Sequence, residues 1–241
     1  SLFRILYKGV NNKEVGEDDF YLELTEEMDP VFELKYPAEF SAIHWEPLKE
    51  WIYGMNYNQC GDYETAKEMF HLENLIDYSL FNILLSGEDN LQKNIYYWAD
   101  YQKDGSYKMI KIPWDLNMTW GNAWYEEHEY HFNLYQEKYI EKAAGWTDDM
   151  EHLYSLNEKE IGEKMLLRWK ELRESIITKE NIYAMLDDQF EYINLSGAYI
   201  RDSLFWGSRE QYWSNQYIYD YADRKITMMD TYVEKLAQGE K

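Results

Sequence analysis

Apolar residues crowd residues 72–85: Leu72, Leu75, Ile76, Leu80, Phe81, Ile83, Leu84 and Leu85 cover more than one face, which predicts a helix buried nearly all round. Ser86-Gly87 ends that helix. Upstream, residues 45–53 and 63–70 read as short helices, the first with Pro47 in its opening turn and the second with Asp62 at a capping position. Downstream, residues 94–98 and 107–112 predict a hairpin around Lys103-Asp104-Gly105, since Asp-Gly is a strong turn signal. Pro113 stops the second strand and Asp115 projects just beyond it.

The two ends of the chain differ in pattern. Residues 1–40 are strand-like in pieces, around 3–7, 20–24 and 31–36, split by Asn-Asn and acidic clusters that read as loops. Residues 122–158 are polar and aromatic without a clear period, so a long excursion with little regular structure is expected. Helical spacing then returns in three series: Ile161, Met165, Trp169, Leu172 and Ile176; Ile182, Met185, Leu186, Phe190 and Ile193; and Ile218, Ala222, Met229, Val233 and Leu236. Three C-terminal helices follow, the last of them long. No repeat, low-complexity run or Pro/Gly/Ser linker divides the chain.

Composition narrows the partners. The 241 residues carry 24 basic and 46 acidic side chains, a formal charge of −22, which makes a nucleic-acid backbone a poor partner. The same field attracts basic peptides or metal ions, although a solvated acidic coat also accounts for it. No run approaches 18 apolar residues, so no membrane insertion is expected. A single cysteine, Cys60, excludes an internal disulfide. The 24 Tyr and 10 Trp suit a large core and also suit sugar-stacking platforms, which keeps a carbohydrate-binding module in view.

Asp89, with Asn94 five positions on and Asp115 past a strand pair, has the spacing that phosphoryl transfer on a kinase-like site uses. There the first Asp orients a hydroxyl nucleophile while the Asn and the later Asp hold Mg²⁺ against nucleotide phosphates. Mg²⁺ keeps several waters and needs only one or two protein oxygens besides the phosphates. Turn and capping roles for Asp89 and Asp115 fit the same spacing. His128 and His131 lie amid Glu126, Glu127 and Glu129, and Glu26-Glu27-Met28-Asp29 forms a second acidic run; both read best as solvated loops. Trp114 and Trp120 flank Asp115, where a core role is favoured over packing against a base or sugar.

The wording around these residues points further. Leu75-Ile76-Asp77-Tyr78-Ser79-Leu80-Phe81-Asn82, then Gly87, Asp89 and Lys93-Asn94-Ile95-Tyr96-Tyr97-Trp98, then Ile112-Pro113-Trp114-Asp115-Leu116-Asn117 and Trp120-Gly121, resembles the CotH family of spore-coat protein kinases. Leu6-Tyr7-Lys8-Gly9, Phe32-Glu33-Leu34-Lys35, and Arg224 with Met228 and Asp230 look like further segments of that family. The resemblance is dense between residues 72 and 121 and thin elsewhere. It implies an α+β, atypical protein-kinase-like fold that uses ATP and Mg²⁺ or Mn²⁺ to phosphorylate Ser or Thr hydroxyls of spore-coat or extracellular proteins. A mostly helical C-terminal part and a small β-hairpin carrying the metal site are expected.

Carried over by residue, Asp89 looks like the catalytic aspartate, Asp115 a metal ligand and Asn94 a second one. Asn117 stands where the family has a further aspartate, which weakens metal binding if that position takes part. Lys8 and Lys35 are the candidates for the nucleotide-binding lysine, with no Gly-rich phosphate loop visible at Gly9 or Gly16. One domain over 1–241 is expected: 1–40 a remnant of an N-terminal β-rich part whose lobe is incomplete, 41–121 the catalytic core, 122–158 the irregular excursion and 159–241 the C-terminal helices. A basic, Ser/Thr-rich protein substrate suits the charge, and a spore-coat or cell-surface location follows from the resemblance alone. Two alternatives stand beside the kinase: a weak pseudokinase or assembly scaffold, and the carbohydrate-binding module.

Overall fold

A computed structural model describes residues 2–5, 32–37, 46–48, 50–51, 62–91, 93–121, 145–207 and 216–241. Strands β1 (Leu2–Ile5) and β2 (Phe32–Tyr36) precede helices α1 (Tyr63–Glu68) and α2 (Leu72–Leu85), and strands β3 (Ile95–Tyr101) and β4 (Tyr107–Pro113) follow. Then come α3 (Asp148–Leu156), α4 (Glu158–Ser175), α5 (Lys179–Leu195), α6 (Ala198–Trp206) and α7 (Gln216–Leu236). The α+β assignment stands, with helices predominating after the sheet.

The hairpin expected from Asp104-Gly105 forms, with both strands longer than the alternation suggested. Ile95 pairs with Pro113 and Tyr101 with Tyr107. It is not an isolated hairpin. β1 pairs antiparallel with β3 on one side and β2 on the other, giving the sheet order β2-β1-β3-β4. Strands from the first forty residues and the hairpin therefore share one sheet, because the open edge of β3 carries unpaired backbone groups that another strand satisfies.

The opposite edge, β4, is closed differently. Met109 N–H donates to the Met69 carbonyl at 3.0 Å, and His71 N–H donates to the Met109 carbonyl at 3.3 Å. One step along, the Asn74 side chain substitutes for a strand. Its Oδ1 accepts from Lys111 N–H at 2.8 Å and its Nδ2 donates to the Lys111 carbonyl at 3.1 Å. Pro113, the next residue of that parity, has no N–H to satisfy and ends the strand.

One face of the hairpin, with Ile95, Tyr97, Ala99 and Met109, is buried against α2 and the helices behind it. α2 behaves as its pattern predicted, burying Leu75, Ile76, Leu80, Ile83 and Leu84. α1 starts at Asp62, whose carboxylate accepts from Thr65 N–H at 2.9 Å. Behind α2, α4 and α7 cross with Ile161, Met165, Trp169, Met229, Val233 and Leu236 fully or almost fully buried between them. Asp230 anchors that crossing by accepting from Trp169 Nε1 at 2.6 Å and Arg173 Nε at 3.1 Å. Arg168 grips Asp77 of α2 with two parallel bonds, 2.7 and 2.9 Å.

Two expectations need correction. The stretch expected to be irregular contains α3: Thr147 precedes it, Asp148, Asp149 and Glu151 favour its N-terminus, and Met150, Leu153 and Tyr154 bury one face. Three apolar residues at helical spacing were too short a series to rise above the polar background. Residues 122–144 lie outside the described residues, as do the strand-like piece at 20–24 and the metal candidates His128 and His131. Four C-terminal helices are present among the described residues instead of three. The additional one, α6, begins after Gly197 in the left-handed region at φ 67°, and its apolar residues gave no buried series because Ile200 and Leu204 are exposed.

Gly162 sets the closeness of the α4–α7 crossing. A Cβ there would lie 2.1 Å from the Leu236 carbonyl oxygen and 2.5 Å from its carbon, both backbone atoms that cannot rotate away. Gly162→Ala improves helix propensity by about 1 kcal/mol, yet we expect a net loss of roughly 2 kcal/mol or more from overpacking. Urea unfolding monitored by tryptophan fluorescence checks the sign.

Candidate functional site

The site is built on the turn that leaves α2. Ser86 takes the left-handed conformation at φ 52° and caps the helix. Gly87 follows because the Asn82 Oδ1 atom sits 2.4 Å from where a Cβ would be. One short 3-10 turn, Glu88–Leu91, then carries Asp89 and Asn90.

Asn90 joins the pieces. Its side chain is buried, and Nδ2 donates to the Asn94 carbonyl at 3.0 Å and to the Trp114 carbonyl at 2.8 Å. Trp114 N–H donates to the same Asn94 carbonyl at 2.9 Å. The Tyr78 hydroxyl donates to the Asn90 carbonyl at 2.7 Å, tying the arrangement to α2. Asp89 is adjacent to Asn90, and Asp115 is adjacent to Trp114. These bonds therefore bring the backbones of Asp89, Asn94 and Asp115 to one place from the two ends of the hairpin.

Local backbone shape contributes as well. Asn94 at φ 57° and Asp115 at φ 51° both occupy the left-handed region, which Asn and Asp tolerate better than most side chains. Asp89 is partly buried and pairs with Lys93 at 3.0 Å. Asp115 and Asn117 are exposed on the following turn, which the Thr119 hydroxyl closes by donating to the Leu116 carbonyl at 2.7 Å. Trp120 N–H donates to the Leu85 carbonyl at 2.8 Å, returning the turn to the end of α2. Tyr221 of α7 donates to Ser86 Oγ at 2.8 Å and packs its ring 5.7 Å from Trp120. Both exits of the site are thus fastened to helices.

Beneath this turn lies a buried charge pair. Lys111 Nζ, four residues before Asp115, donates to Asp149 Oδ1 at 2.5 Å and Thr147 Oγ1 at 2.7 Å. Both charged side chains are almost wholly buried. The Tyr78 and Tyr97 rings lie 5.4 and 5.7 Å from the ammonium. Burial foremost, with the Asp149 charge adding, pushes both tyrosine hydroxyls well above their ordinary range. They stay protonated, which Tyr78 needs in order to donate to Asn90.

The nucleotide-binding candidates stand apart from these bonds or outside the described residues. Lys8 lies outside the described residues, as do Gly9, Gly16 and the acidic run from Glu26 to Asp29. Lys35 stands exposed on β2, with β1 between it and β3, and none of the bonds that assemble Asp89, Asn94 and Asp115 reaches it. Among the described residues no three His, Cys, Asp or Glu side chains form a metal cluster. Trp114 corrects its favoured core role. It is half exposed, resting edge-on against Tyr96 at 5.7 Å.

Asn90, Lys111 and Asp149 did not stand out in the sequence. A signal for Lys111 existed: in Tyr107–Pro113 it shares the parity of Met109, so strand alternation puts an ammonium on the buried face. Nothing local marks Asn90, because its two acceptors are defined only once the hairpin has closed.

An α+β body in which a buried amide joins the backbone segments that carry Asp89, Asn94 and Asp115 is the class of protein that fold and site define. The family model described as CotH kinase protein matches residues 5–238, and the chain belongs to the CotH family. Kinase chemistry in general uses ATP and a divalent cation. No curated protein and no solved structure matches the chain.

Two substitutions test this geometry. Asn90→Asp keeps the shape but removes both donors and buries a carboxylate; a loss of about 2 kcal/mol or more is expected in chemical denaturation. Lys111→Met strands the Asp149 charge and is expected to cost roughly 3–5 kcal/mol, much of it recovered by adding Asp149→Leu. Thermal unfolding of the two single variants and the double variant decides this.

Proposed function

We propose that the chain is an atypical protein kinase that transfers the γ-phosphoryl group of ATP to Ser or Thr hydroxyls of spore-coat or extracellular proteins. The observation that carries this reading is the Asn90 clamp, which joins the Asp89 turn, the Asn94 carbonyl and the residue before Asp115. In this reading Asp89 orients the attacking hydroxyl and takes its proton as the new P–O bond forms. The bond to the β–γ bridging oxygen breaks and ADP leaves.

Asn94 and Asp115, with Asn117 as a weaker ligand, hold Mg²⁺ or Mn²⁺. Their hard oxygen donors suit such an ion, which needs few protein ligands when phosphates and waters complete its shell. Lys8 and Lys35 are the candidates for the phosphate-facing lysine. The whole chain is read as one domain of kinase-like fold, with residues 41–121 as its catalytic core and the strands of residues 1–40 extending the sheet of that core. Its substrate is a basic, Ser/Thr-rich protein, drawn by the −22 charge. The spore coat or cell surface is the proposed location, and no described helix is long and apolar enough to cross a membrane.

A second reading, a pseudokinase serving as a scaffold, is favoured by Asn117, which replaces an anionic oxygen with a neutral one on the exposed turn after Asp115. Transfer of label from γ-labelled ATP to a basic Ser-rich protein separates the two. With Mg²⁺ or Mn²⁺ the intact chain is expected to transfer, and Asp89→Ala and Asp115→Ala each to lower the rate by about 100-fold or more. Transfer that survives both substitutions rejects the site. Nucleotide binding without transfer in the unsubstituted chain supports the scaffold.

A further inference from the structure

The helical pair α5–α6 presents apolar surface that no other described part of the chain covers. No residue of α5 is buried. Its inner side, with Ile182, Leu186, Phe190 and Ile193, is partly covered, and Phe190 and Tyr183 rest against Tyr219 of α7. At about 100° per residue, Met185, Tyr192 and Leu195 fall within an arc of about 80° on the other side. They are 67, 71 and 80 % exposed. Across the short Ser196-Gly197 link, Ile200 and Leu204 lie one turn apart on α6 and are 65 and 82 % exposed. Together the five side chains leave on the order of several hundred Å² of apolar surface exposed on two helices that contact each other.

The charges around these stripes select the partner. Asp188 falls between Met185 and Tyr192 on the same side of α5, and Glu191 borders it. Glu180, Asp187 and Asp202 are exposed on the same two helices. The two cations of the pair are engaged nearby. Lys179 pairs with Asp223, and Arg201 caps the Ser196 carbonyl at 2.6 Å. An acid-rimmed apolar surface on a chain of charge −22 repels a second copy of itself and an anionic lipid surface alike.

We propose that the outer side of α5–α6 docks a basic amphipathic helix from another protein, its apolar side on Met185, Tyr192, Leu195, Ile200 and Leu204 and its lysines or arginines on Asp188 and Glu191. This surface is independent of the catalytic reading. Its test uses the full chain and a fluorescein-labelled synthetic Leu/Lys helix of about 18 residues, long enough for five turns, followed by anisotropy. A peptide of identical composition with scrambled order is the control.

The ordered peptide is expected to bind at least about tenfold more tightly than the scrambled one. Leu195→Asp and Leu204→Asp are expected to weaken binding by about tenfold or more, although each makes the protein more acidic. Asp188→Lys with Glu191→Lys should weaken it independently. Circular dichroism and thermal midpoint should be unchanged, since all four positions are exposed. Equal or tighter binding by the Leu→Asp variants would show charge attraction alone and overturn the proposal. A dimer in sedimentation equilibrium that Leu204→Asp abolishes would assign the surface to a second copy and overturn it as well.

Discussion

An edge strand must find partners for its outward N–H and C=O groups, and β4 satisfies them through the segment that leads into α2. Met69, His71 and the Asn74 amide take the backbone of Met109 and Lys111. Each unmade bond at a buried edge costs about 1–3 kcal/mol, so this seam fixes the hairpin against α2 in one register. The placement of the candidate site follows from it. With β4 held at Lys111, the chain leaving Pro113 passes next to the chain leaving α2, and a buried amide can hold both.

Asn90 exploits that proximity with the smallest side chain that offers two N–H donors in fixed geometry. Its bonds end on backbone carbonyls, so they position chain segments without engaging the carboxylate of Asp115 or that of Asp89, which pairs with Lys93. Lys111 and Asp149 act one layer deeper. Their attraction ties the sheet to the start of α3, and the buried tyrosines around them exclude water. A pair of this kind adds little net stability over apolar residues of the same volume.

Much of this arrangement was readable from the chain. The limits of α2 coincide with its apolar run because a nearly all-round apolar helix of 14 residues has few other solutions. The hairpin followed from Asp104-Gly105, and α1 from Asp62. The family wording singled out Asp89, Asn94 and Asp115, whose backbone segments the Asn90 bonds draw together. α3 and α6 escaped because short helices with polar or exposed faces leave too few periodic positions, and the joining of β1 to β3 escaped because strand partners are not encoded in either strand alone.

The sequence by itself determined local elements and the spacing of Asp89, Asn94 and Asp115, since helix periodicity, turn residues and capping depend on neighbours within a few positions. Only the tertiary structure decided which backbone carbonyls Asn90 donates to, that Lys111 is buried against Asp149, and that Leu195 and Leu204 face outward. Those outcomes depend on groups 24 and 38 residues apart meeting in space, or on no other part of the described chain covering them. Hydrogen-bond satisfaction and burial are properties of the assembled fold, and no local stretch of the chain contains them.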